Sequence, residues 1–223
     1  MPPVSSSFSF PAPQSDECLI YLVRHGATAS NVAKPPKVQG RGSDLPLSEA
    51  GLAQAAACAR FFEGARLAAV ASSPLARAHQ TAEAIARPHQ LVVEPIPALL
   101  EVDVGSWEGL TWHEAEARDP DAKRLFVDDP GVHPYAGGEN FQQVRERALP
   151  ALLALADRSL GGAVVVASHN VVNRCLIAVA MELPLKFSRR IPQHNGGVSV
   201  LRWRGGKLHA LSVNSISHLP EWE

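Results

Sequence analysis

The sequence predicts an α/β fold, a three-layer α/β/α arrangement with a mostly parallel central sheet. Three observations carry that expectation. Short apolar runs alternate along the chain with segments of helical period, the pattern of strand–helix–strand units. Ala163 to Ala167 reads Ala-Val-Val-Val-Ala, the composition of a parallel strand buried on both faces. Cys18 to Val23 is another apolar run, and it stops abruptly at Arg24-His25-Gly26, where glycine lets the backbone turn sharply.

Taken in order, Thr28 to Val32 suits a short helical turn, and Lys34 to Pro46 a loop rich in Pro and Gly. Ser48 is an N-cap for a helix to Phe62 with Leu52, Ala55, Ala59 and Phe62 on one face. After the strand-like Leu67 to Ala71, Ser73-Pro74 marks a helix start, with Leu75, Ala78, Ala82 and Ile85 facing inward. Arg77 falls off that stripe, in the first turn. Leu91 to Glu94 suits a short strand, Pro95 to Leu110 an irregular connection, and Thr111 to Arg118 and Ala122 to Val127 short helices. Pro130 to Gly138 is loop. Glu139 to Ala156 is a helix that Pro150 should kink or divide. Val171 to Met181 follows the Ala163 run as a helix, and Val198 to Trp203 and Leu208 to Val213 form a hairpin across Gly205-Gly206.

With 223 residues, 46% of them apolar and 19% charged, the chain can bury a substantial core. A net charge of -1 gives no footprint for nucleic acid or an anionic membrane. If a phosphate is bound, it is bound locally, by a few placed cations. Cys18, Cys58 and Cys175 are odd in number and widely spaced, which suits reduced thiols in a cytoplasmic protein rather than disulfides or a zinc ribbon. No apolar stretch approaches the roughly 18 residues of a membrane span. Residues 1–17 are rich in Ser and Pro without Lys or Arg, and fit neither a secretory signal nor a transit peptide. They are expected to be a disordered tail, with residues 18–223 a single domain.

Chemistry gathers at one end of the sheet. Arg24-His25 follows the first strand, Arg77 follows the second by way of Ser72-Ser73-Pro74, and His169 follows the Ala163 run. In open α/β sheets ligands bind outside the carboxyl ends of strands. Helix amino termini at Pro74 and Asn170 would add N–H donors and a favourable dipole for an anion. Two arginines and two imidazoles there make a pocket for a phosphoryl group, because the planar guanidinium pairs with phosphate oxygens two at a time.

Arg24-His25-Gly26-Ala27-Thr28, Ser72-Ser73-Pro74-Leu75-Ala76-Arg77-Ala78, the stretch Leu100-Glu101 to Gly109, and Ser168-His169-Asn170 occur in that order. Together they resemble the histidine phosphatase superfamily, which includes the cofactor-dependent phosphoglycerate mutases, over Cys18 to Val213. The resemblance implies a phosphoglycerate mutase-like fold and a phosphohistidine mechanism without metal or cofactor. His25 is then the nucleophile, Arg24, Arg77 and His169 hold the phosphoryl oxygens, and Glu101 protonates the leaving oxygen and later activates water. Asn31 matches a position that touches phosphate in the mutases. Asn170 replaces a glycine common in the family, and either touches substrate or caps its helix. The other histidines have no metal-site spacing, and Trp107 and Trp112 suit packing.

A phosphomonoesterase acting on a small phosphorylated metabolite is the function expected. The alternatives are a phosphoglycerate mutase and a non-catalytic phospholigand-binding module on the same fold. Against the mutase, Val102-Asp103-Val104 supplies no positive charge after Glu101 for a second anionic group, and the segment from Gly109 to Gly137 is short. Specificity is expected in Lys34 to Pro46 and Trp107 to Gly138. A homodimer is compatible with this reading.

Overall fold

Alternation along one strand sets the layering. In the computed structural model, which describes residues 10–219, β1 (Glu17–Arg24) sends Cys18, Ile20 and Leu22 to one core and Leu19, Tyr21 and Val23 to another. Its parallel neighbour β4 (Ala163–Ser168) is buried at every position. β2 (Leu67–Ser72) and β3 (Val93–Pro95) extend the parallel half, and β5 (Val198–Arg204) and β6 (Lys207–Ser215) complete the sheet antiparallel, in the order β3-β2-β4-β1-β5-β6. The sheet is mixed and mostly parallel, as expected. Gly205 and Gly206 turn the β5–β6 hairpin with φ of 56° and 76°, the positive pair that favours glycine in a tight turn.

The helices in chain order are α1 (Ala29–Val32), α2 (Glu49–Phe62), α3 (Ala76–Ala86), α4 (Trp112–Arg118), α5 (Pro120–Asp128), α6 (Phe141–Asp157) and α7 (Asn170–Ala180). α6 and α7 pack Val144, Leu152, Val172 and Leu176 against the Ile20 face; α2 and α3 pack Cys58, Phe62, Ala82 and Ile85 against the Tyr21 face. Full burial of each large side chain stabilises this arrangement by about 1.5–3 kcal/mol. Among the described residues no helix is long and apolar enough to cross a membrane.

The structure departs from the sequence reading at four places. α3 begins at Ala76 rather than Pro74: Ser73 Oγ accepts from Leu75 N at 3.3 Å, while Asp44 Oδ1, from a distant loop, takes the Ala76 N–H at 2.6 Å. A tertiary partner has replaced the local cap. Leu52 is 56% exposed, and Gly51 is buried on α2 with Ala55, Cys58 and Phe62. Pro150 does not divide α6; it lies on the exposed side, where water can satisfy the carbonyl its missing N–H leaves free. The expected tail extended to residue 17, yet Glu17 opens β1 and Phe10 packs its ring against Tyr21 and Phe62, at 5.6 and 5.8 Å between centroids. The rest of that expectation, residues 1–9, lies outside the described residues.

Gly26 and Gly51 bring two backbones together below the site. A Cβ at Gly51 would overlap the Ala27 carbonyl, and one at Gly26 the Gly51 carbonyl. Gly51→Ala is therefore expected to lower unfolding stability in urea by about 1–3 kcal/mol. Stability equal to wild type would show that the turn yields freely.

Candidate active site

The end of β1 is fixed from both sides. His25 N donates to Ser168 O at 2.9 Å, continuing the ladder one residue past the strand, and Gly196 N donates to Arg24 O at 2.9 Å. The turn that follows is closed by Gly26 N donating to Thr81 Oγ1 (3.1 Å) and Ala27 N to Gln54 Oε1 (2.8 Å). Within it, His25 Nδ1 lies 2.7 Å from Gly26 O. A carbonyl oxygen can only accept, so Nδ1 carries the hydrogen and Nε2 of the neutral ring keeps its lone pair.

Arg77 rises from the first turn of α3 and is fully buried. Its Nη1 donates to Ser43 O and its Nη2 to Gly40 O, both at 2.9 Å. The half-buried Glu108 shapes the same loop, accepting from Gly40 N at 3.0 Å, Gly42 N at 3.2 Å and Ser43 Oγ at 2.9 Å. One acid thus gathers the loop amides while the loop carbonyls orient the arginine.

His169 is the N-cap residue of α7, buried with its ring centroid 5.2 Å from that of His25. Glu101 is also buried. Its Oε1 accepts from Val102 N at 2.9 Å and its Oε2 from Val171 N, in the first turn of α7, at 3.3 Å. Arg147 of α6 braces the segment that carries this acid. Its Nη1 donates to Ala98 O and Leu100 O, both at 2.7 Å, and its Nη2 to Glu101 O at 3.1 Å. Its Nε and Nη2 complete the set on the two oxygens of Glu139, each at 3.0 Å, so the whole fork is used.

Burial dominates the electrostatics. It holds His25 well below the usual imidazole range, with the Arg24 and Arg77 charges adding to it and the Gly26 bond opposing. His169 is lowered in the same way, by burial first and then by Arg77, His25 and Arg24. Burial pushes Glu101 above the usual carboxylate range against the opposing Val102 bond and Arg77 charge, which favours its protonated form. It lowers Arg24 to about 10, still a cation at neutral pH.

Arg24, His25, Asn31, Glu101 and Asn170 line one cavity of about 190 Å³. Arg77 and His169 are fully buried and stand outside its wall. Arg24 Nε, Arg77 Nε and both His169 ring nitrogens are buried without a protein partner; the two arginine N–H groups and the single N–H of neutral His169 are donors that the oxygens of an anion would satisfy. Asn31 spends its Oδ1 on Thr28 N (3.0 Å), Thr28 Oγ1 (3.1 Å) and Asn195 Nδ2 (3.3 Å), so it caps α1 as well as facing the cavity. Asn170 opens α7 with its Oδ1 buried and without partner. Trp107 is core, and Trp112, 39% exposed, stacks on Phe126 and forms a wall of the cavity with Tyr135 and Lys37. The bracing residues Glu108, Thr81 and Arg147 were not foreseen. Glu108 lies within the Leu100-to-Gly109 motif, whereas Arg147 carries no sequence signal. Among the described residues no group of three or more His, Cys, Asp or Glu could hold a metal ion.

Residues 20–216 match the histidine phosphatase superfamily (branch 1), and the chain belongs to that superfamily. Among its relatives are the bifunctional protein Rv2228c of Mycobacterium tuberculosis, 36% identical over 164 residues, and the metal-independent phosphoserine phosphatase of Arabidopsis thaliana, 35% identical over 212 residues. The first match covers 73% of this chain but 44% of the relative, so the chain spans less than half the length of that protein; the second covers 92% and 85%. The probable phosphoglycerate mutase GpmB of Cronobacter sakazakii is 32% identical over 205 residues, covering 90% of this chain and 94% of that one. The solved structure of Bacillus stearothermophilus YhfR superposes with a TM-score of 0.83 at 32% identity, over 90% of this chain and 98% of that one.

Proposed function

We propose that the protein is a metal-independent phosphomonoesterase that hydrolyses a small phosphorylated metabolite through a covalent phosphohistidine on His25. The observation that carries this reading is the locked tautomer. Nδ1–H is committed to Gly26 O, and the Nε2 lone pair is free in a site with partnerless arginine and histidine donors.

In the first step Nε2 attacks phosphorus, the bond to the leaving oxygen breaks, and Glu101 gives that oxygen its proton. Arg24, Arg77 and the His169 N–H hold the remaining phosphoryl oxygens as charge develops on them. In the second step the Glu101 carboxylate takes a proton from water, whose oxygen attacks phosphorus. The P–N bond breaks, and phosphate and neutral His25 result. The two arginine charges offset the phosphoryl dianion. The GpmB relative favours a second reading, a mutase in which a substrate hydroxyl, rather than water, accepts the phosphoryl group.

The pKa shifts matter to this sequence. With ordinary values a carboxyl would ionise before an imidazole lost its proton, and the pair needed here, neutral His25 with protonated Glu101, would be scarce. Lowering His25 and raising Glu101 both act against that order and enlarge the population of the pair. The rate should rise as pH climbs through the lowered His25 pKa and fall as it climbs through the raised Glu101 pKa. A kcat/KM profile for an alkyl phosphoester, whose leaving oxygen needs that proton, should peak in the mildly acidic to neutral range. A rate that climbs steadily to pH ~10 would contradict the assignment.

Arg147 offers a second test. A lysine presents a point charge and cannot hold three carbonyls and a carboxylate in one plane. Arg147→Lys is expected to lower kcat for an alkyl phosphoester by about tenfold or more through misplaced Glu101. The loss should be smaller with p-nitrophenyl phosphate, whose leaving group needs no proton. Equal losses on both would assign Arg147 to general stability.

A further inference from the structure

The orientation of His25 hangs on one peptide group, and the residue at that peptide cannot aim it. Gly26 O lies 2.7 Å from His25 Nδ1 and keeps the hydrogen there. Glycine has the freest backbone of any residue, so nothing at Gly26 itself directs its carbonyl. Glycine is nonetheless required, because a Cβ there would overlap the Gly51 carbonyl of α2.

The same close approach supplies the missing constraint. Ser48, the N-cap of α2, and Gly51 and Gln54 recur every third residue and so share one side of the helix. Ser48 N and Oγ donate to Ala27 O at 2.8 and 3.0 Å. Gly51 lets the two backbones meet, and Gln54 Oε1, one turn on, accepts from Ala27 N at 2.8 Å. Ala27 N–H and Gly26 C=O are opposite edges of a single planar peptide, so a bond that fixes one fixes the other. A continuous path therefore runs from Gln54 Oε1 through that peptide to the His25 ring. Thr81 holds the preceding peptide: its Oγ1 accepts from Gly26 N at 3.1 Å and donates to Arg77 O at 2.8 Å.

We propose that Gln54 is a positioning residue for the nucleophile, holding the Gly26–Ala27 peptide so that its carbonyl stays on His25 Nδ1–H and Nε2 stays free to attack. This deepens the phosphohistidine reading and rests on it for its effect on rate. A neutral clamp suits the chemistry. A carboxylate in place of the carbonyl would also fix the ring, but its charge would favour the imidazolium. The Gly26 bond raises His25 less than burial and the two arginines lower it, so the tautomer is locked while the ring stays neutral.

Nitrogen NMR of the histidine rings tests the clamp, with the His25 signals assigned by their absence from His25→Ala. In wild type Nδ1 should be the protonated nitrogen. Gln54→Leu keeps a side chain of similar size without an acceptor, and there the two His25 nitrogen signals should approach each other as the tautomers mix. Its kcat for p-nitrophenyl phosphate should fall by about tenfold or more while KM changes by less than about threefold, because the groups that bind phosphate are untouched. Gln54→Glu restores an acceptor and should recover most of that loss, each variant being assayed at its own pH maximum and at a temperature where circular dichroism shows it folded. Wild-type kcat in Gln54→Leu, or a His25 ring still protonated at Nδ1 alone, would overturn the clamp, as would a loss that Gln54→Glu shares in full. The ring signals are read without substrate and so stand apart from the chemistry. Tautomer mixing in Gln54→Leu, with no phosphohistidine ever found on the wild-type enzyme, would keep the clamp and sink the phosphohistidine reading.

Discussion

His25→Ala should abolish phosphoester turnover, lowering kcat by roughly a thousandfold or more. The loss follows from geometry rather than from proximity alone. The ring is held by the Gly26 bond with Nε2 unprotonated, in a buried pocket whose arginines disfavour the imidazolium. No other described group combines those properties: His169 shares the burial, but neither of its ring nitrogens is fixed by a protein partner. The variant should still bind inorganic phosphate, because Arg24, Arg77 and His169 remain. Turnover of p-nitrophenyl phosphate by His25→Ala within a few-fold of wild type would remove His25 from the chemistry.

Glu101→Gln should have the second-largest effect, and one that depends on the leaving group. Glutamine keeps an oxygen to accept from Val102 N but cannot pass a proton. For an alkyl phosphoester, whose alkoxide is a poor leaving group, kcat should fall by about 10²–10⁴-fold. For p-nitrophenyl phosphate the first step should survive far better, and any remaining loss belongs to water activation in the second. The alkaline limb of the pH profile should disappear with the carboxyl group. An equal loss across leaving groups would indicate that Glu101 holds the pocket rather than moving a proton, and Asp103, two residues on, would be the next residue to test.

The main strands and their ends were legible because they obey local rules. The valine run of β4 and the abrupt stop at Arg24-His25-Gly26 declare themselves in a few residues, and four short motifs in order placed Arg77, Glu101 and His169 at one edge of the sheet. What stayed hidden depends on residues far apart in the chain. Asp44 caps α3 across 32 positions, overriding the Ser73-Pro74 signal. Gly51 packs on α2 where the apolar pattern favoured Leu52, because a backbone contact with Ala27 demands a residue without Cβ. The bracing of Glu101 by Arg147 spans 46 positions, and an arginine on a helix carries no mark of where its fork will land.

The central claim is that phosphorus passes through His25. Rapid mixing of the enzyme with a phosphoester, followed by a denaturing alkaline quench that preserves phosphohistidine, and peptide mass analysis, tests it directly. The expected result is a phosphoryl group on the peptide containing His25 during turnover, discharged as phosphate when substrate runs out and absent from His25→Ala. Steady turnover with no phosphorylated peptide, or with the phosphoryl group on another residue, would contradict it.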